Sequence, residues 1–270
     1  MKKTVTLFLA VLITISYSFA SVDTVSIFSN AMHKNIKAVV IKPDAYKNEK
    51  DFAVVYLLHG AYGNYQNWIK KVPALQTYAD LYKILIVCPD GLNSWYFDSP
   101  LDSSYKFETH VSNEVPVYID ANYKTKKDRK YRAIAGLSMG GHGALFIAFR
   151  HSETFGACGS MSGALNVESI KTGYDVAKRI GDPYSNKVIY HDWSILNVIE
   201  KYPKDSLAII IDCGLQDFVV GMSIATHEKM VKLKIPHDYI LRPGKHDWFY
   251  WANSVQYQML FFNNFFKRES

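Results

Sequence analysis

The stretch "AIAGLSMGGHGAL", residues 133–145, leaves few ways to fold. An apolar run that reads as a buried strand meets a small-residue-rich run that reads as a helix, with almost nothing between them. A chain turns that abruptly only where the flanking residues lack bulk, and Gly136 and Gly140 bracket Ser138 in the pattern G-x-S-x-G. Such a turn holds its serine in a strained conformation and lifts the hydroxyl out of the sheet. It also sets that hydroxyl at the start of the following helix, where the helix dipole favours developing negative charge. A glycine-rich turn with an incidental serine is the plainer reading, but the strand before and the helix after favour a nucleophile. The nearby "GSMSG", residues 159–163, is a decoy, because methionine stands in its middle position.

The rest of the chain repeats the same alternation. "DTVSIFS" and "NIKAVVIK" read as opening strands, and "DFAVVYLLHG", "KILIVCPDG", "YRAIAGLS", "GACGSMSGAL", "SLAIIIDCG" and "HDYILRPG" as further ones. Helical spacing appears in "VPALQTYADLY", "KFETHVSNEVPVYIDANY", "GGHGALFIAFRHSETF", "SIATHEKMVKLKI" and "SVQYQMLFFNNFFKR", and in "WSILNVIEKYP", which Pro203 should end. Continuous apolar strands separated by helices predict an α/β protein, its mostly parallel central sheet covered by helices on both faces. Without repeats, low-complexity tracts or Pro/Ser-rich linkers, residues 21–270 read as one domain.

Ligands of such sheets bind at the C-terminal ends of the strands, so the polar residues just past each strand matter most. A serine hydroxyl needs an adjacent base, and the base an orienting acid. With a nucleophile elbow the chain order is serine, acid, histidine. Asp217 follows "LAIIIDCG" and His246 follows the next strand, in "RPGKHDW", so Ser138, Asp217 and His246 are the candidate triad. Asp212 lies within its strand, and Asp247 adjoins His246, a poor arrangement for a dyad. His191 repeats the letters HDW but precedes the acid-bearing strand, at an expected helix start where Asp192 or Ser194 can cap. It reads as a surface or packing residue. The two oxyanion donors should be the backbone N–H groups of Met139, directly after the serine, and of Ala61, with Gly60 as fallback. His59, at the strand end before that loop, reads as scaffold that hydrogen-bonds loop backbone. Trp68, Trp95, Tyr96, Trp248 and Tyr250 fall near strand ends, where packing competes with substrate contact. Of these, Trp95–Tyr96 in "GLNSWYFDSP" is the preferred pair for an aromatic acyl group.

Charge and cysteines narrow the function classes. The formal charge of +6 becomes +4 without Lys2 and Lys3. The basic stretch "YKTKKDRKYR" reads as a solvated connection rather than a nucleic-acid strip. Cys88, Cys158 and Cys213 have no metal-like spacing and read as small buried hydrophobes, with a single disulfide as the alternative. The opening "MKKTVTLFLAVLITISYSFAS" carries two lysines, a short apolar run and small residues at Ser18 and Ala20, the pattern of a signal peptide over residues 1–20. An exported protein, periplasmic or secreted and not stably inserted in a membrane, is the expectation. A retained N-terminal anchor is the alternative.

With "LLHGAYGNYQNW", "GLSMGGHGAL", "DCGLQDF" and "GKHDWFYW" in this order, residues 24–266 resemble the esterase D/feruloyl esterase-like family of α/β-hydrolases. That family includes S-formylglutathione hydrolases, acetyl and feruloyl esterases and mycolyltransferases. The resemblance implies the α/β-hydrolase fold, the same triad and oxyanion amides, and neither metal nor organic cofactor. It implies a serine carboxylic-ester hydrolase working through an acyl-enzyme, and together with the export signal it points to an exported enzyme acting on acetyl or feruloyl esters of plant polysaccharides or on small acyl esters. Gly60, Trp68, Trp95, Tyr96 and Trp248 are the candidate substrate contacts. An acyltransferase of the mycolyltransferase type, an S-formylglutathione hydrolase-like thioesterase and a non-catalytic binding domain are the alternatives.

Overall fold

The computed structural model describes residues 22–201 and 206–268, so the expected signal segment and the stop at Pro203 lie outside the described residues. Eight strands form one sheet in the order β1-β2-β4-β3-β5-β6-β7-β8. They are β1 (Val22–Ser29), β2 (Lys34–Ile41), β3 (Ala53–Leu58), β4 (Ile84–Pro89), β5 (Arg132–Leu137), β6 (Ala157–Met161), β7 (Ala208–Gly214) and β8 (Asp238–Arg242). Strands β3 to β8 run parallel, and β2 runs antiparallel to both β1 and β4.

Period-two alternation explains why the central strands are apolar throughout. Val54, Tyr56 and Leu58 of β3, with Leu85 and Val87 of β4, face one core. Ala53, Val55 and Leu57, with Ile84, Ile86 and Cys88, face the other. The first core is closed by the helix Met139–Arg150, whose Ala144, Leu145 and Phe146 are fully buried. The second is closed by Leu75–Tyr82 and by the long terminal helix Trp248–Arg268, through Val255, Met259 and Phe262. Helices therefore cover both faces of the parallel strands, as the apolar runs predicted. Cys88, Cys158 and Cys213 are buried and unpaired, and burial pushes all three thiols up, Cys213 to about 12.

Three helical readings need correction. Within the predicted helix "WSILNVIEKYP" the described residues are helical over Ile195–Val198, and Ser194, in an extended conformation, parts this turn from the preceding helix Lys187–Trp193. His191 thus sits in the last turn of a helix rather than at a helix start, and it is exposed. The terminal helix begins at Trp248, ahead of its predicted start, because the Asp247 carboxylate accepts the Tyr250 N–H at 2.9 Å and caps the first turn. Asp247 is therefore a cap, not a rival catalytic acid. The predicted helix over 106–123 contains a π turn at His110–Glu114, in which His110 bonds Glu114 instead of solvent.

Strand order reverses its direction of growth at β3: β4 lies on one side and β5 on the other. The crevice beyond the carboxyl ends of β3 and β5 is where this topology leaves space for a ligand. That space is kept open and tight at once by Gly140. A Cβ there would stand 2.5 Å from the His59 carbonyl oxygen and 2.7 Å from that of Leu58. Gly140→Ala should destabilise the protein by about 1–3 kcal/mol through overpacking. Gly221→Ala, on an exposed helix where nothing lies within 4 Å, should stabilise it by about 0.5–1 kcal/mol. Thermal and urea melts of the two variants check the opposite signs.

Candidate functional site

Ser138 follows β5 directly, with φ 54° and ψ −116°, a conformation seldom adopted by residues other than glycine. Its backbone is held on both sides. The Ser138 N–H donates to the Met161 carbonyl at 3.0 Å, and the Ser138 carbonyl accepts from His142 at 3.1 Å and Ala164 at 3.2 Å. Gly136 is needed alongside, since a Cβ on it would stand 2.4 Å from the Gly140 carbonyl oxygen.

Asp217 and His246 arrive on the loops after β7 and β8, and these loops are zipped together. Leu215 N–H donates to Arg242 O at 2.8 Å, Gln216 N–H to Gly244 O at 2.9 Å, and Gly244 N–H to the Gln216 side-chain oxygen at 2.7 Å. The result brings the three predicted side chains together. His246 Nδ1 lies 2.9 Å from both oxygens of Asp217, and His246 Nε2 lies 2.9 Å from Ser138 Oγ. A carboxylate beside Nδ1 keeps the ring proton on that nitrogen, which leaves Nε2 to accept from the serine hydroxyl. Burial alone would raise the Asp217 carboxyl. The hydrogen bond from His246, the Val219 N–H, the His246 charge and the Ser162 hydroxyl outweigh it and hold the group below the ordinary carboxylate value.

A cavity of about 230 Å³ opens over this arrangement, lined among others by Gly60, Ala61, Ser138, His246 and Trp248. A larger cavity of about 440 Å³ is lined by Glu108, Arg150, His151 and Lys201. It lies beyond the far end of the twelve-residue helix that starts at Met139, so volume alone does not pick out the site. Among the described residues no group of three or more His, Cys, Asp or Glu side chains is gathered so as to hold a metal ion.

Of the two expected oxyanion amides, that of Met139 is the first of its helix and so has no partner within it. Ala61 belongs to the lining of the cavity. His59 is a positioning residue for this loop. Its Nδ1 donates to the Gly60 carbonyl at 2.8 Å, and its Nε2 accepts the Gly91 N–H at 2.8 Å. Gly63 N–H holds the same Gly60 oxygen at 3.1 Å. In a trans peptide the Gly60 C=O and the Ala61 N–H point in opposite directions, so fixing one aims the other.

The aromatic expectations divide. Trp248 lines the cavity. Trp68 is buried, its ring centroid 5.3 Å from that of Trp248 in an edge-to-face arrangement and its indole N–H donating to Leu58 O at 3.0 Å. Trp95 and Tyr96 are 1% and 0% exposed and cannot touch a substrate. Tyr96 donates its hydroxyl to His59 O at 3.1 Å, and Trp95 donates its indole N–H to Tyr174 O at 2.8 Å. Their loop had no core periodicity because both rings turn inward at positive φ, 60° and 59°. Tyr250 is likewise buried. Residues the sequence did not single out complete the surroundings. Tyr62, Asn67, Tyr174 and Trp251 join the lining, and the Phe218 ring lies 4.5 Å from that of His246, tilted by 50°. Tyr62 sits one residue past an expected oxyanion donor, a signal available in the sequence; Tyr174 carried none.

His142, one turn behind Ser138, is fully buried among Trp95, Phe97 and Phe146, with Nε2 donating to Trp193 O at 2.9 Å. Burial pushes its ring down to about 4, the Trp193 carbonyl pulling only partly back. An unfolded histidine takes a proton near pH 6.5, which the folded chain refuses until about 4. This group's contribution to stability is therefore present above pH 6.5 and lost as pH falls toward 4, on the order of 3 kcal/mol in all. Urea denaturation at pH 7, 5.5 and 4 should show a flatter pH dependence for His142→Gln than for the parent chain. Equal slopes would contradict this. For the oxyanion loop, His59→Ala should lower kcat by about tenfold to a hundredfold with KM little changed, short of the loss from deleting a donor outright. Steady-state kinetics on a small acyl ester check the split.

Comparison with known proteins adds to this geometry. The family profile described as "Putative esterase" matches residues 29–262. An acetyl esterase of Caldicellulosiruptor saccharolyticus is 28% identical over 254 residues, covering 86% of this chain and 94% of the relative. A ferulic acid esterase structure is similar with a TM-score of 0.78 at 27% identity, covering 92% of this chain and 98% of that one. The diacylglycerol acyltransferase/mycolyltransferase Ag85B of Mycobacterium avium is 34% identical over 121 residues, 42% of this chain and 36% of its own length.

Proposed function

The chain belongs to the esterase family and is a serine carboxylic-ester hydrolase of the α/β-hydrolase fold, and on that premise we propose that Ser138, His246 and Asp217 are its catalytic triad. The reading rests on one observation, the unbroken chain of hydrogen bonds from Asp217 through His246 to Ser138 Oγ at the cavity floor. Ser138 Oγ attacks the ester carbonyl while His246 Nε2 takes its proton, and Asp217 stabilises the imidazolium that forms. The oxygen of the tetrahedral intermediate, now negative, is received by the N–H groups of Ala61 and Met139. His246 then protonates the leaving alcohol, which departs as the carbonyl reforms and leaves an acyl group on Ser138. Water, deprotonated by His246, attacks this acyl-enzyme; collapse releases the acid and returns the proton to Ser138.

The substrate class follows the relatives. Acetyl or hydroxycinnamoyl esters, carried by oligosaccharides or small alcohols, suit a small cavity with aromatic walls, and the acetyl esterase and ferulic acid esterase relatives support that reading. Export follows from the opening segment, with its lysines and short apolar run. The mycolyltransferase relative supports a second outcome of the same acyl-enzyme, transfer to a hydroxyl acceptor in place of water.

Ser138→Ala should lower kcat by about 10⁴-fold or more, and Asp217→Asn, which keeps the shape but spoils the tautomer, by about 10³–10⁴. Both should leave KM nearly unchanged on acetyl and feruloyl esters. A Ser138→Ala protein that keeps a tenth of the parent rate would remove the proposal. Product analysis with and without added alcohol separates hydrolysis from transfer.

A further inference from the structure

Two tyrosines at the edge of the Ser138 cavity stand in backbone conformations that side chains of their size rarely adopt. Tyr62 has φ 58° and Tyr174 φ 53°. A bulky residue at positive φ persists only where its surroundings force it, and such strain gathers at binding sites. Here two side chains, Asn93 and Trp95, hold these backbones. The Asn93 amide accepts the Tyr62 N–H at 3.4 Å and donates to Tyr174 O at 3.1 Å and to the Asp175 carboxylate at 2.9 Å. The Trp95 indole supplies a second donor to Tyr174 O at 2.8 Å. Asp175 is itself at positive φ, 62°, and is paired with Lys178.

What this apparatus holds in place is apolar surface facing solvent. Tyr62 is 69% exposed and Tyr174 44%, although both line the cavity. Their ring centroids are 6.3 Å apart with planes tilted by 43°, so they stand side by side at the edge of the cavity. The cavity, about 230 Å³, is below the roughly 300–1,000 Å³ range of sites that enclose a whole drug-sized ligand. A larger ester therefore leaves part of itself outside, across these rings. The part that gains most from two fixed aromatic faces is itself a ring face, either the C–H face of a sugar or the plane of a hydroxycinnamoyl group.

We propose that Tyr62 and Tyr174 form a stacking platform that selects esters carrying a ring, with Asn93 as the positioning residue that keeps both rings at the mouth. The proposal rests on the reading of Ser138 as the nucleophile beneath that mouth. It also reassigns the aromatic recognition expected of Trp95: this residue holds Tyr174 in place from below.

The test uses asparagine in place of each tyrosine, because asparagine tolerates positive φ and so removes the ring while sparing the backbone. Tyr62→Asn, Tyr174→Asn, their combination, the two Tyr→Phe variants, Asn93→Ala and the remote Tyr184→Ala are compared on methyl acetate, methyl ferulate and acetylated xylobiose. The readout is kcat/KM for each ring-bearing ester divided by that for methyl acetate. The double asparagine variant should lose about tenfold or more in that ratio, through KM. The phenylalanine variants and Tyr184→Ala should stay within about twofold of the parent, because stacking needs the ring and not its hydroxyl. Asn93→Ala should move the ratio in the same direction as the double variant, with an unchanged melting temperature. A loss on methyl ferulate alone assigns the platform to the acyl group, and a loss on xylobiose alone to the alcohol. Ratios unmoved on both esters overturn the platform, whatever the status of the triad. Hydrolysis of methyl acetate that survives Ser138→Ala would instead overturn the reading of the nucleophile. Binding of methyl ferulate to Ser138→Ala, by calorimetry, reports on the platform without any chemistry; equal affinity with and without the two rings would also overturn it.

Discussion

Three backbones converge on Gly140: the end of β5, the helix it leads into, and the carbonyls of Leu58 and His59 leaving β3. The absence of a side chain at that point lets the helix start close against the oxyanion loop, and the Ser138 conformation follows from it. With Ser138 N–H tied to β6 and its carbonyl tied to His142 and Ala164, the residue has no lower-strain alternative within reach. The hydroxyl is then presented at the sheet edge, with Ala61 in the lining of the same cavity and Met139 at the start of the helix behind it. A methyl group at position 140 would disturb Ser138, the helix start and the loop after β3 together, so packing and the geometry of the site are inseparable here.

Asp217 and His246 come from the opposite flank, by a different device. The loops after β7 and β8 bond to each other before either reaches the site, so Asp217 and His246 arrive as a unit. Behind them Asp212, fully buried, accepts from Arg242 at 2.8 Å and from Ser254 of the terminal helix. That pair ties β7, β8 and the helix into one block, and removing the half-buried Arg242 would leave the buried Asp212 carboxylate without its counter-charge. Two aromatic rings pack against the imidazole: Phe218 tilted at 4.5 Å, and Trp251 edge-on at 4.9 Å. The imidazole is held from several sides yet left open toward Ser138.

Much of this was legible in the sequence, for a physical reason. Strands buried on both faces must be apolar at nearly every position, so β3, β4, β5 and β7 announced themselves, and each strand end then pointed to a polar residue. The serine turn was legible because steric crowding admits only glycine at its flanks. The segment between β6 and β7 was not, since its helices are short, pack on one another and on the helices Met139–Arg150 and Val220–Leu233, and carry no sustained period. Trp95 and Tyr96 misled for a related reason. Aromatics in a loop without periodicity look free, yet the positive φ values that turn both rings inward cannot be read from residue type. Tyr62 and Tyr174 are the converse, large rings kept outside by hydrogen bonds from an asparagine far away in the chain.

The most direct measurement is covalent capture. The chain is incubated with a fluorophosphonate, its intact mass recorded, and the modified peptide sequenced. The account predicts one adduct, on Ser138, formed at a rate that collapses when His246 is replaced by alanine. An unmodified Ser138, an adduct on another residue, or labelling that proceeds as fast without His246 would contradict it.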